Sequence, residues 1–170
     1  MILFTPSNRM DSIKQPEKPA VTIQFRNIFS SDYNKCVSLI ATVFNPVETV
    51  MFRNIWKQRR TPFSFIALVD SQSVGCAIVT LDNCIQYIAI DPDFQELGIG
   101  SQLLRKICEE MSDQPSIWLK TADSPWLRKW YETYGFVLEK TYMSKTGEYQ
   151  GDCMIRIQRG RNSQGKLSME

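Results

Sequence analysis

The chain has 170 residues, a formal net charge of +2, five cysteines and no histidine, a length that suits one domain burying about 70 % of its unfolded surface without disulfide or metal staples. Lack of histidine excludes histidine triads, histidine-ligated metals and histidine proton shuttles, and so small a charge gives no sign of a nucleic-acid or membrane partner. Scattered cysteines, no basic-then-apolar leader and no run of 18 apolar residues make a metal-free, soluble, cytoplasmic protein the expectation.

Taken in chain order, residues 1–20 are polar and proline-rich and read as a flexible tail, residues 21–158 as one domain, and residues 159–170 as a second tail. "VTIQFRNI" alternates like a strand, and "DYNKCVSLIATVF" sets Tyr33, Cys36, Val37, Ile40 and Phe44 at helical spacing. A second helix follows Pro46, with Val47, Val50, Met51, Ile55 and Trp56 expected on one side. "FSFIALVD" and "VGCAIVTLD" form a hairpin across "SQS", and "CIQYIAI" is a further strand. Beyond two glycines comes a helix with Leu103, Leu104, Ile107, Cys108 and Met111 inward, stopped before Pro115. "SIWLKT" reads as a buried strand. In "SPWLRKWYETYGF", Ser124 caps a helix, Pro125 opens it and Gly135 follows its end. "FVLEKTYMSK" and "GDCMIRIQ" make a last antiparallel pair. The order β α α β β β α β α β β implies a mixed α/β (α+β) fold, a mostly antiparallel sheet with helices on both faces.

The glycines of "IDPDFQELGIGSQLLRKI" pose a question, because each costs roughly 1 kcal/mol against alanine inside a helix. Either a tight turn or close helix packing needs them, or a phosphate lies against the unpaired N–H groups of the first turn.

Gln95, Gly98 and Gly100, preceded by "IAIDP" and followed later by "YETYGF", resemble the GNAT superfamily of N-acetyltransferases over residues 21–158. The resemblance implies an enzyme moving an acetyl group from acetyl-CoA to an amine by direct attack. It implies that the CoA pyrophosphate lies on Gln95, Glu96, Leu97, Gly98, Ile99, Gly100 and Ser101. Pantetheine would pair with Ile88, Ala89 and Ile90, with a backbone N–H near Ile90 polarising the thioester carbonyl. Tyr131 matches the family's general acid, although Trp126, Leu127, Trp130, Tyr131 and Tyr134 also form a stripe that a core would use. Ser124 stands where relatives often carry Asn, and can bond pantetheine or only cap its helix.

Two further departures qualify the match. Gln86 stands where several relatives carry a glutamate base, leaving Asp82, Glu139 or relayed water. Glu96 and Leu97 stand where many relatives carry a cation, and a carboxylate there opposes a pyrophosphate. Arg105, Arg128 and Lys129 are candidates for the 3′-phosphate.

Cys84 and Cys108 read as core thiols rather than nucleophiles. For the acceptor, Glu48, Tyr142, Glu148, Tyr149 and Asp152 are candidates, and the order of the last elements is similar to ribosomal-protein N-terminal acetyltransferases, which tilts the acceptor toward a peptide or protein amine. Small-molecule acceptors, a CoA-binding regulatory module without catalysis, and a monomer or homodimer all remain open.

Overall fold

Alternating apolar groups make strands that bury two faces, and the computed structural model, which describes residues 21–44, 46–143 and 150–157 (backbone alone for 46–50), joins them in one sheet. Its elements are β1 (Ile23–Asn27), α1 (Tyr33–Val43), α2 (Pro46–Lys57), β2 (Phe65–Val69), β3 (Gln72–Val79), β4 (Cys84–Ile90), α3 (Ile99–Glu110), β5 (Ser116–Ala122), α4 (Pro125–Glu132), β6 (Val137–Met143) and β7 (Gln150–Ile157). The expected order of elements is the observed one. The seven strands lie in the order β1-β2-β3-β4-β5-β7-β6, antiparallel except for β4 and β5. Both expected tails lie outside the described residues.

Each face of the sheet carries its own core. On one face, Ile85, Ile88 and Ile90 of β4 pack with Leu103, Leu104 and Ile107 of α3 and with Leu127 and Tyr131 of α4. On the other, Tyr87 and Ala89 pack with Cys36, Ile40 and Phe44 from the first helix and its end, and with Phe52 and Trp56 of α2. The expected inner face of α2 needs correction: Met51 is exposed, while Phe52 is buried completely. Phe52 and Trp56, one turn apart, set the rotation of that helix, because Phe52 stacks on Tyr33 and meets Tyr87 edge-on, while Trp56 meets Tyr33 edge-on. The side chains of Val47 and Val50 lie outside the described residues.

Ile85 and Tyr87 are two residues apart yet face opposite cores, which a regular strand does not allow. The cause is a bulge. Val79 pairs with Ile85 and Ile78 with Tyr87, so Gln86 is an extra residue in β4. A bulge bends its strand and raises its twist. On its other side β4 pairs with β5 only at Cys84↔Trp118 and Ile85↔Leu119. Beyond the bulge the two strands part, and this opening sits at the centre of the sheet.

An ion pair with a buried carboxylate and a half-exposed arginine fastens β1 to the start of α1. Arg26 donates to both carboxylate oxygens of Asp32 at 2.7 and 2.9 Å, and the Phe29 N–H adds a third bond at 2.8 Å. The Arg26 hydrogen bonds, with that N–H and the charges of Arg26 and Lys35, hold the Asp32 carboxyl down to about 2 despite burial. A depressed pKa stabilises the fold above the ordinary value of 3.8, and this contribution is lost as pH falls through about 2. Asp32→Asn is therefore expected to lower the melting temperature at pH 7 by a few degrees, roughly 2–4 °C per kcal/mol at this size. Melts at pH 4, 3 and 2 should show the gap between the two proteins closing.

Candidate active site

Three features converge on the gap between β4 and β5. The first is the turn leading into α3. Asp91 caps a short 3-10 turn over Pro92–Phe94 by accepting from the Asp93 N–H at 3.0 Å. Gln95 then folds back, its Nε2 donating to the Ile90 carbonyl at 3.2 Å, which ties the turn to the end of β4. Glu96 at φ 68° and Gly98 at φ 73° are both left-handed. That conformation is natural for glycine and costs a glutamate of order 1 kcal/mol.

Gly98 is the residue before α3, with no side-chain cap. The first intrahelical bond runs from the Gln102 N–H to the Gly98 carbonyl at 3.0 Å. The N–H groups of Ile99, Gly100 and Ser101 thus belong to the unpaired first turn. A Cβ built on Gly98 meets nothing within 4 Å. Close packing therefore does not explain this glycine; its backbone angle does, and the space in front of it is open. Gly100 is buried. The Ser101 hydroxyl accepts from Trp130 Nε1 at 3.3 Å, linking α3 to α4.

The second feature is Tyr131. Its ring is fully buried among the residues that include Ile88, Ile90 and Leu119, and is held edge-on by Trp130 and Phe136. Its hydroxyl is buried with no hydrogen-bond partner. Burial pushes the phenol well above its ordinary value, so it stays protonated at physiological pH. The stripe that made Tyr131 look like core is accurate for the ring, while the unsatisfied hydroxyl is not what a purely structural tyrosine presents. Ser124 caps α4, accepting from the Leu127 N–H at 3.5 Å.

The third feature lies on the opposite face, where α1 and α2 cover β4 but not β5, β7 and β6. Trp118 and Lys120 point to this side, because Ile117, Leu119 and Thr121 between them are buried on the other. With Glu139, Lys140, Tyr142 and Cys153 they line a groove of about 440 Å³. A second bulge, between Leu138 and Lys140 of β6, makes Glu139 the unpaired extra residue and aims it into the groove beside Lys140. The Cys153 thiol donates to Glu139 Oε2 at 3.4 Å.

Several candidates are relocated by this geometry. Asp82 sits in the β3–β4 turn, at the far end of β4 from Ile88–Ile90, accepting from Thr80 Oγ1 at 2.6 Å. It is a turn residue. The Gln86 amide donates to Cys84 Sγ at 3.3 Å. Asp152 is fully buried on the α4 face, bound by Arg128 at 2.7 and 2.9 Å and by Thr141 at 3.1 Å. That network removes both Asp152 as an acceptor group and Arg128 as a phosphate ligand. Arg105 lines a separate pocket with Arg156 and Tyr134, near the end of α4. Glu148, Tyr149 and the side chain of Glu48 lie outside the described residues. Burial, helped by Asp82, pushes the Cys84 thiol up to about 12, and burial raises Cys108 too, so neither supplies a thiolate. Sequence reasoning overlooked Lys120 and Lys140. The signal for Lys120 was the alternation of "SIWLKT", in which Trp118 and Lys120 share a face; Lys140 joins them only through strand register.

Among the described residues no cluster of His, Cys, Asp and Glu is arranged for a metal, and no helix is long and apolar enough to cross a membrane. Residues 61–138 match the family model described as "Acetyltransferase (GNAT) domain". No curated protein matches the chain. Among solved structures, the fold is similar to the ribosomal-protein-S18-alanine N-acetyltransferase of Escherichia coli, at 16% identity and a TM-score of 0.68, over 86% of this chain and 100% of that one. It is also similar to Arabidopsis thaliana Naa50 in complex with a bisubstrate analogue, CoA-Ac-MVNAL, at 15% identity and a TM-score of 0.66, over 79% and 97%. Ard1 from Thermoplasma volcanium shares 19% identity, with a TM-score of 0.64 over 79% and 97%. The matched segment holds the parting strands, the left-handed turn and the α4 tyrosine, and over residues 61–138 the chain is similar to the GNAT family of acetyltransferases.

Proposed function

We propose that the protein is an acetyl-CoA-dependent N-acetyltransferase working by direct transfer to an amine, with a peptide or protein amine as the favoured acceptor class. The observation that carries this reading is the parting of β4 from β5 after Ile85 and Leu119, beside a turn whose free N–H groups suit a pyrophosphate. Acetyl-CoA supplies a thioester: the amine nitrogen bonds to the acyl carbon as the carbon–sulfur bond breaks, the nitrogen loses a proton and the sulfur gains one. The residues fit this co-substrate, since Gly98 opens on free space and Tyr131 carries a buried hydroxyl with no partner.

In this reading Gln95, Glu96, Leu97, Gly98, Ile99, Gly100 and Ser101 hold the diphosphate through main-chain N–H groups. Ile88, Ala89 and Ile90 offer the freed edge of β4 to the pantetheine amides, and Ser124 stands at the mouth of the gap. Tyr131, protonated, gives a proton to the leaving sulfur. Glu139 is the one groove carboxylate among the described residues and takes the proton from the ammonium. Much of the rate comes from holding amine and acyl group together in the gap. The S18 enzyme, Naa50 and the NatC complex bound to a peptide and CoA are peptide- or protein-directed by name, which supports that acceptor class here. The five buried free cysteines suit a reducing compartment, and we assign the reaction to the cytoplasm.

The test is release of CoA, followed with a thiol reagent over a panel of small amines and peptides, alongside a thermal shift with acetyl-CoA. Turnover of at least one amine is expected. A thermal shift with no turnover of any amine would instead identify a CoA-binding module. Glu96 provides a further check, since its carboxylate stands in the diphosphate turn. Glu96→Arg is expected to tighten acetyl-CoA binding about three- to tenfold, the order of one charge at a helix start, as read by titration calorimetry.

A further inference from the structure

The uncovered groove carries more positive charge than an amine acceptor needs. Lys120 and Lys140 both pair with Cys153, so Lys120, Cys153 and Lys140 form one cross-strand row on the groove side of the sheet. Neighbours in such a row stand about 5 Å apart, which puts the two lysine stems about 10 Å apart with Glu139 between and above them. Lys120 is the first residue of β5 beyond its last pair with β4, so the row begins where the strands part.

Two aromatic rings fix the nearer lysine. Lys120 Nζ lies 5.8 Å from the Trp118 ring and 5.4 Å from the Tyr142 ring. Tyr142 reaches it by lying across Gly151, where a Cβ would come within 2.7 Å of the ring and of the Thr121 carbonyl. Only glycine permits that approach. Among the described residues neither Lys120 nor Lys140 has an acidic group within ion-pair distance. One carboxylate flanked by two such ammonium groups is complementary to a ligand of mixed charge, one amine with a carboxylate beside it.

We propose that the acceptor is an amine with a carboxylate on the same or the next residue, with Glu139 receiving the ammonium and Lys120 and Lys140 the carboxylate. This rests on the acetyltransferase reading and deepens it. The carboxylate can come from an acidic second residue of a peptide or from the α-carboxyl of a free amino acid. Both sources present the same chemistry to the row of lysines.

The experiment measures kcat/KM with acetyl-CoA saturating and CoA release as readout. One arm compares C-terminally amidated peptides beginning Ala-Glu, Ala-Gln and Ala-Lys; the other compares alanine with alaninamide. We expect the carboxylate-bearing member of one arm to exceed its neutral counterpart about tenfold, as one charged hydrogen bond supplies. The arm that shows the preference identifies the source. Lys120→Glu and Lys140→Glu, both at exposed positions, should abolish or invert that preference with unchanged melting temperature and unchanged acetyl-CoA affinity. Equal kcat/KM across both arms, or a preference that neither variant moves, would overturn the assignment while leaving acetyl transfer intact. Absence of turnover with every amine, with acetyl-CoA still binding, would instead defeat the transferase reading and this inference with it.

Discussion

Tyr131→Phe is expected to lower kcat about 100-fold, the lower end of what a positioned acid contributes, with acetyl-CoA affinity within about threefold of the parent. The same substitution should also stabilise the ligand-free protein. A buried hydroxyl without a partner carries a desolvation penalty of about 1–3 kcal/mol, and phenylalanine keeps the ring's contacts with Trp130 and Phe136 while removing that oxygen. At roughly 2–4 °C per kcal/mol, the melting temperature should rise by several degrees. The pairing of opposite signs separates the roles: a core tyrosine with no chemistry would show the rise in melting temperature and no loss of turnover. Because burial raises its pKa well above 10, Tyr131 remains a proton donor throughout the neutral range, and the alkaline limb of a pH–rate profile near neutrality should not belong to it. An unchanged kcat, measured at saturating acetyl-CoA and amine, would remove the acid role.

The elements were legible in the sequence because their signals were local. Apolar periodicity, Ser124 and Pro125 at a helix start and Gly135 at φ 82° after it are properties of a few adjacent residues. The turn before α3 was legible too, through Gly98, but for half the reason: the left-handed backbone requires glycine whether or not a phosphate lies there. What the sequence concealed was set across strands. Nothing in "CIQYIAI" announces that Gln86 is a bulge, since an extra residue is defined only against its partner strand. The separation of β4 from β5 follows from that bulge and was equally hidden. Glu139 was a candidate base in the sequence, but its placement was hidden in the same way: its bulge in β6 aims it beside Lys140, and the row of Lys120, Cys153 and Lys140 exists only through strand register. Asp152 erred in the opposite direction. In sequence it is an acid near a hairpin loop, whereas burial and Arg128 make it a structural anion. Charge alone does not tell a solvated acid from a paired one.

Gly98 offers a substitution in which backbone and ligand effects come apart. Gly100 is buried, so a bulky side chain there would disturb folding together with any ligand contact. Gly98 is exposed and its Cβ direction is open, leaving the left-handed angle as the only internal constraint. Asparagine tolerates that angle better than other side-chain-bearing residues, whereas valine does not. Gly98→Asn is therefore expected to change the melting temperature by no more than a few degrees, since strain at one such position is about 1 kcal/mol. If the diphosphate lies on the N–H groups that follow, the new side chain occupies its space and acetyl-CoA affinity should fall tenfold or more, the equivalent of about 1.4 kcal/mol. Gly98→Val should lose both stability and affinity, because the β-branched side chain opposes the backbone angle as well as the ligand. Affinity by titration calorimetry and melting temperature, measured on the same two variants, give four numbers with one expected pattern. An asparagine variant that binds acetyl-CoA as tightly as the parent would mean that the anion does not rest on this turn, and the co-substrate would have to enter the gap between β4 and β5 by another edge.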